Sequence, residues 1–328
     1  MKLDARRPIE AFDFNAAVGA IFKTSDGKDY ALRLWVWHSL SIFIVLIISL
    51  PFLVPYLGEY LEVAWEINQQ TLSGDSSSVD INAFTSILLK MIPGYALLLI
   101  GLLIVASLGE AAFYRKYLLG AEPAKIPVRL DRHTFRNMLI QLGFYSLFIL
   151  VYVGGALLVG LLMGVGLIIH PAIGAMLAII GFIFLIIALI AYPIKFAPAS
   201  ALSHFDDKAH VLAARHITKF RFWPLFGAYL VTYVGGYIAY YIIYIMIAIL
   251  VTGDPNFMIA MSGLSSESPR IAFEAAAARL SNPLVMILTV LGIALMSAAW
   301  SAWMLWIAGV SAYAVKWWAN DDPTLAFE

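Results

Sequence analysis

Six apolar runs, near residues 34–57, 86–109, 138–168, 173–194, 223–251 and 283–315, alternate with stretches in which the charged residues collect. Each run reaches the roughly 20 residues that a helix needs to cross a bilayer. Hydrocarbon offers backbone groups no hydrogen-bond partner, so each run is predicted to be helical throughout. The third, fifth and sixth exceed one crossing and are expected to tilt or project beyond the bilayer. Pro171, in "IIHPAIG", marks a tight turn between the third and fourth. The fold predicted is all-α and polytopic: an amphipathic N-terminal segment at 1–33, a six-helix transmembrane domain at 34–315 and a tail at 316–328.

The stretches between crossings carry patterns of their own. Over 207–222, plotted at about 100° per residue, Lys208, Arg215 and Lys219 share one stripe and Ala209, Ala213, Ile217 and Phe220 the opposite one. That pattern predicts an amphipathic helix lying on the membrane surface, with Arg221, Phe222 and Trp223 at the headgroups where the chain re-enters. Two readings of its cations compete: contact with anionic lipid, or orientation of the chain alone. Near the other surface, Glu59, Glu62 and Glu66 share one face of a predicted short helix at 58–69. "SGDSSS" reads as flexible, and Ser268-Pro269 reads as an N-cap opening a helix through "RIAFEAAAARL".

Composition supports the same picture. The chain of 328 residues is 62% hydrophobic and 13% charged, with a mean hydropathy of +0.86, too little charge to clothe a soluble domain of that size. Its formal net charge is zero, so bulk charge predicts no nucleic-acid partner. It contains no cysteine, which removes disulfides, thiol catalysis and cysteine metal sites. Residues 1–33 lack the apolar core and small-residue cleavage site of a signal peptide, so the first crossing is expected to act as an uncleaved insertion signal. Eighteen of the 21 lysines and arginines precede helix 1, lie between helices 2 and 3 or 4 and 5, or follow helix 6. Only Lys90, Arg270 and Arg279 fall on the opposite side. The cation-rich side is predicted to be cytoplasmic, with both termini inside.

The chain also repeats. "RHTFRNMLIQLGFYSLFILVYVGG" (132–155) and "RHITKFRFWPLFGAYLVTYVGG" (215–236) each run from an Arg-His pair through a basic-aromatic stretch and an apolar run to Tyr-Val-Gly-Gly. A weaker version opens with "AFDFNAAVGAIFK", which places Ala11, Phe14, Val18, Ile21 and Phe22 on one face. The unit predicted is an interfacial helix followed by a membrane hairpin, used three times in parallel orientation. The rival reading is chance similarity among apolar helices.

The stretch "IKFAPASALSHFDDKAHVLAARHITKFRFWPLFGAYL" (194–230) resembles bacterial six-helix integral membrane proteins related to the membrane domain of some glycerophosphodiester phosphodiesterases. The residues that carry the resemblance are Lys195, the Ala197-Pro198-Ala199 step, the amphipathic segment 207–219 and Arg221-Phe222-Trp223. It covers about 40 residues closely and implies the six-helix plan and a bacterial inner membrane. No activity is expected to carry over, since the sequence shows no phosphodiesterase domain beside this stretch.

A search for chemistry returns little. His-Glu-x-x-His, Gly-x-Ser-x-Gly and the phosphate-binding Gly-x4-Gly-Lys-Ser/Thr are all missing from the sequence. His204, His210 and His216, six apart, do not share a helix face, and Asp206, Asp207 and His210 read as helix-dipole partners before they read as metal ligands. No catalytic residue, metal site or cofactor is therefore expected. Glu110 and Lys195, near the cytoplasmic ends of their helices, are candidates for an interfacial ion pair or for separate reach to the headgroups. Tyr229, Tyr233, Tyr237, Tyr240 and Tyr244 lie within about 80° of one face of helix 5. They either line a groove for a lipid or amphiphile or pack between helices. Ala156, Gly160 and Gly164 allow another helix to approach closely, inside the monomer or at a seam with a second copy or another membrane protein.

The leading expectation is an inner-membrane protein without catalysis, acting through contacts with membrane lipids or protein partners. The alternative is a permease or carrier of lipids or amphiphiles, and a membrane enzyme of unrecognised type stands last.

Overall fold

The computed structural model describes residues 12–22, 28–73, 81–121, 125–209, 211–219, 221–253 and 269–320. These residues form helices and connecting turns, with no strand among them. In chain order the helices are α1 (Phe14–Val18), α2 (Lys28–Ser73), α3 (Ile81–Tyr117), α4 (Arg132–Ile169), α5 (Pro171–Phe196), α6 (Ala199–Phe205), α7 (Ala214–Thr218), α8 (Phe222–Thr252), α9 (Pro269–Arg279) and α10 (Pro283–Asn320). Among the described residues, α2, α3, α4, α5 with α6, α8 and α10 supply six helices long and apolar enough to cross a membrane. All six contain the predicted runs. Several are longer than predicted: α2 has 46 residues, about 69 Å at about 1.5 Å per residue. The short helix predicted at 58–69 is not separate, because α2 runs on through Pro51 and Pro55 to Ser73.

The described residues fall into two compact units. The first lies within Met1–Leu34, Ala106–Tyr233 and Met304–Glu328, the second within Trp35–Val105 and Val234–Trp303. In the first unit, α4 starts where the Asp131 carboxylate accepts from the Thr134 backbone N–H at 2.9 Å. It ends at His170, which is also the N-cap of α5: its side chain accepts from the Ala172 N–H at 3.1 Å, and Pro171 follows at the first helical position. The hairpin closes on bare backbone. A Cβ at Gly166 would lie 2.6 Å from the Gly174 Cα, and one at Gly155 would collide with Leu185.

The surface segment is shorter than predicted. Pro198 lacks an N–H, and its ring opposes the carbonyl four residues back, so the fourth crossing is interrupted between α5 and α6. Asp207 then takes φ 51°, a left-handed backbone that stops α6. Only Ala214–Thr218 of the predicted 207–222 is helical before α8 begins. The polar stripe holds, with Lys208, Arg215 and Lys219 exposed, but the apolar one holds only in part: Ile217 is buried and Ala213 intermediate, whereas Ala209 is exposed. Phe220 lies outside the described residues, as do Ala11, "GDSSS" and Ser268.

The N-terminal face also differs. Asp13 caps α1 by accepting from the Ala16 N–H at 3.0 Å. Ala16, Ala17 and Ala20 are buried, whereas Phe14 is exposed and Val18 and Ile21 intermediate. Small side chains let this segment sit close: a Cβ at Gly309 would meet the Ile21 backbone N at 3.2 Å, and Trp306 Nε1 donates to the Val18 carbonyl at 2.8 Å.

In the second unit, His38 on α2 is buried. One ring nitrogen sits 2.9 Å from Ser301 Oγ on α10 and the other 3.1 Å from the Val105 carbonyl on α3. Gly236 lies against the Trp303 ring of α10. The two Tyr-Val-Gly-Gly segments therefore share an environment. In each, the second glycine meets the helix that returns within its own hairpin, and the tyrosines Tyr152 and Tyr233 are exposed.

Candidate functional site

An open groove of about 770 Å³ lies in the first unit. It is lined by Val151 of α4, by Ala188, Ala191, Tyr192, Lys195 and Phe196 of α5, by Arg215, His216, Thr218 and Lys219 of α7 and its C-cap, and by Phe222 at the start of α8. The turn between α6 and α7 positions it. Lys195 stands at the end of α5, and the chain turns after α6, where Asp207 takes φ 51°, so that α7 packs beside α5. Thr218, buried, fixes that return by placing its hydroxyl 3.4 Å from the Lys195 carbonyl and 3.2 Å from the Arg215 carbonyl. Ile217 and Ala214 are buried as anchors, which turns Arg215 and Lys219 outward.

The floor is aromatic and held in place. Tyr192 donates to the Phe144 carbonyl at 3.0 Å, and its ring centroid lies 4.9 Å from that of Phe196 and 5.3 Å from that of Phe144. Seven residues of α5 separate Lys195 from Ala188, so the cationic end and the apolar end are about 10 Å apart. Among the described lining residues none is acidic. The groove thus offers cations to a negative group and apolar wall to whatever hangs from it.

The predicted contact residues are distributed unevenly. Arg215 and Lys219 line the groove together with Lys195 and His216, which the surface-stripe pattern did not include. Lys208 is exposed but is not among the lining residues. Arg221 is partly buried, its guanidinium 5.8 Å from the centre of the Trp317 ring, a cation–π contact. The tyrosine row divides. In the first unit Tyr229 is buried, with its hydroxyl 2.9 Å from Ser311 Oγ, and Tyr233 is exposed. In the second unit Tyr240 packs edge-on to Trp300 at 5.5 Å, Tyr237 is exposed and stacks on Tyr241 at 5.9 Å, and Tyr244 is half-buried. Tyr229 and Tyr240 thus pack against α10.

Glu110 and Lys195 do not form the expected ion pair among the described residues. Glu110 Oε2 accepts from Asn137 Nδ2 at 3.1 Å, with the Gln141 and Ser200 side chains beside its carboxylate. The nearby cations have other partners. Arg115 donates to Asp131 at 2.6 Å and to the Pro127 carbonyl at 3.1 Å, and Arg136 pairs with Asp207. The network continues from Ser107 Oγ, which donates to Gln141 Oε1 at 3.0 Å. Nearby, His204 Nδ1 lies 3.2 Å from the Ser200 backbone carbonyl, and the ring lies 5.3 Å from that of Tyr114 and 5.6 Å from that of His133. Asn137 Oδ1 and His204 Nε2 are buried without a hydrogen-bond partner.

At the exposed rim, the bond from Arg136 holds the Asp207 carboxyl below the ordinary range. Burial pushes the Asp131 carboxyl up, but the Thr134 N–H and the Arg115 guanidinium outweigh it and leave it lowered. Charged residues in the spans were the signal read from sequence. The neutral members of the network, Ser107, Asn137, Gln141 and Ser200, were missed, and so was His38. All could have been found as polar residues within or beside apolar runs.

The helices define an all-α, multi-pass membrane protein. No family model, no curated protein and no solved structure matches the chain.

Proposed function

We propose that this chain is a bacterial inner-membrane protein, both termini cytoplasmic, that works by holding anionic lipid at its cation-rich surface and performs no catalysis itself. The groove carries this reading: Lys195 and Arg215 at one end, and an apolar wall from Phe196 to Ala188 at the other, match the outline of a lipid phosphate with its first acyl methylenes. The distribution of lysine and arginine supports the orientation, and the likeness to six-helix bacterial proteins belongs to the same proposal. A carrier of amphiphiles is the second reading, favoured by the polar network around Glu110 within a crossing.

Native mass spectrometry of the protein extracted from mixed vesicles tests the proposal. Each cation near an anionic surface contributes on the order of 1 kcal/mol, so Lys195→Gln with Arg215→Gln should lower retention of phosphatidylglycerol roughly 10- to 30-fold. Retention of phosphatidylethanolamine should barely change. Equal retention of both lipids by the unaltered protein would refute the anionic preference.

A further inference from the structure

A different feature lies inside the bundle, away from the groove. Glu110 is a carboxylate within a membrane-crossing helix, bonded by Asn137 and flanked by Gln141 and Ser200, and among the described residues no cation stands within ion-pairing distance. An ionised group in a crossing is costly unless something neutralises it. The basic side chains that could have done so are committed elsewhere: Arg115 to Asp131 and Pro127, Arg136 to Asp207.

Asn137 supplies the second observation. Its residue is 0% exposed, yet Oδ1 has no partner. Its Nδ2 lies 3.1 Å from Glu110 Oε2 and 3.4 Å from the Ser107 carbonyl oxygen. A planar amide has nearly the same outline turned end for end. In the turned position Oδ1 would occupy the place of Nδ2, 3.1 Å from Glu110 Oε2 and 3.4 Å from the Ser107 carbonyl oxygen, and the three oxygens would have no hydrogen among them. Oxygens about 3 Å apart are neighbouring ligands in the shell of a hard cation with metal–oxygen distances of about 2.3–2.6 Å. The Ser200 hydroxyl, beside the same carboxylate, is a fourth oxygen. It sits just past the proline interruption of the fourth crossing, and interrupted helices are where freed backbone carbonyls meet ions in membranes.

We infer that Glu110, Asn137, Ser200 and the Ser107 carbonyl form a site for a small monovalent cation of the size of Na⁺. The charge sets the valence. A single carboxylate neutralises one positive charge, whereas divalent sites gather more acidic ligands. The ligand types set the hardness: all are oxygens, which favour alkali and alkaline-earth ions over transition metals. Asn137 acts as the selector, presenting its N–H₂ to Glu110 when the site is empty and its carbonyl when it is filled.

Radiolabelled ²²Na⁺ binding to the full-length protein in nanodiscs tests this. Unaltered protein should bind one Na⁺ per chain saturably, displaced by unlabelled Na⁺ but not by choline or by equimolar Ca²⁺. Glu110→Gln, nearly isosteric, should abolish binding. Asn137→Ala and Ser200→Ala should each weaken it at least tenfold while eluting as monodisperse protein, and Glu59→Gln, an exposed carboxylate in the other unit, should bind as the unaltered protein does. No saturable binding by the unaltered protein, or binding unchanged in Glu110→Gln or in Asn137→Ala, would overturn the site. Retention of anionic lipid is read separately, so loss of Na⁺ binding leaves the groove standing and loss of lipid leaves the cation site standing.

Discussion

Replacing Asp131 with alanine removes a helix cap and an ion pair in one step. Oδ1 accepts from the Thr134 N–H at 2.9 Å, and Oδ2 receives Arg115 at 2.6 Å and Arg129 at 3.2 Å. Loss of an N-cap costs about 1 kcal/mol, within a range of about 0.5–2. The Arg115 side chain is 9% exposed and would keep only the Pro127 carbonyl, so leaving it without its carboxylate costs about 1–3 kcal/mol. Asp131 is itself 23% exposed, which places that figure in the lower half of the range. The exposed Arg129 contact adds at most a few tenths. The expected loss for Asp131→Ala is therefore about 2–3 kcal/mol. Asp131→Asn keeps the cap oxygen and should lose only about 1–2 kcal/mol. Reversible unfolding in mixed micelles, titrated with a denaturing detergent and followed by tryptophan fluorescence, measures both. Because the Asp131 carboxyl is lowered in the folded protein, its contribution is complete above the unfolded value, near pH 4, and fades as pH falls through the folded value. The gap between native protein and Asp131→Ala should accordingly be full at pH 7 and narrow as pH falls through the folded value. A loss under about 0.5 kcal/mol for Asp131→Ala, or an equal loss for both variants, would refute this account of how α4 begins.

Two further outcomes follow from particular contacts. Gly236→Val drives side-chain atoms into the Trp303 ring and should destabilise by about 1–3 kcal/mol, whereas Gly160→Val meets open space and should stay within about 0.5 kcal/mol in the same unfolding assay. Because the chain has no native cysteine, Lys208→Cys and Glu274→Cys, both exposed, give clean topology markers. An impermeant thiol reagent added to intact spheroplasts should label Glu274→Cys and spare Lys208→Cys, and the reverse pattern would invert the proposed orientation.

The six crossings were legible because hydrophobic run length is dictated by the bilayer, and each run reappears inside one helix, from Lys28–Ser73 to Pro283–Asn320. The turn at Pro171 was legible for a local reason, proline at the first helical position. The segment 207–222 misled because its apolar–polar alternation fits a helix, while Asp207 breaks the backbone to reach Arg136 on α4. That tertiary pairing leaves no mark in a helical wheel. Glu110 misled for a similar reason. Its nearest polar neighbours, Asn137, Gln141 and Ser200, come from other helices and carry no charge, so a search for an opposite charge pointed to Lys195. The groove was half legible: Arg215 and Lys219 stood out on their stripe, but only the turn after α6, where Asp207 takes a left-handed backbone, brings α7 beside the Lys195 end of α5.

The most direct test of lipid seating is photocrosslinking in nanodiscs with phosphatidylglycerol bearing a diazirine near the headgroup end of one acyl chain, followed by peptide mapping. Crosslinks are expected on 188–196 and around Val151, the apolar lining of the groove, and should fall about tenfold in the Lys195→Gln, Arg215→Gln variant. Crosslinks spread evenly over the outward faces of α4 and α5, or a pattern unchanged in that variant, would contradict the account.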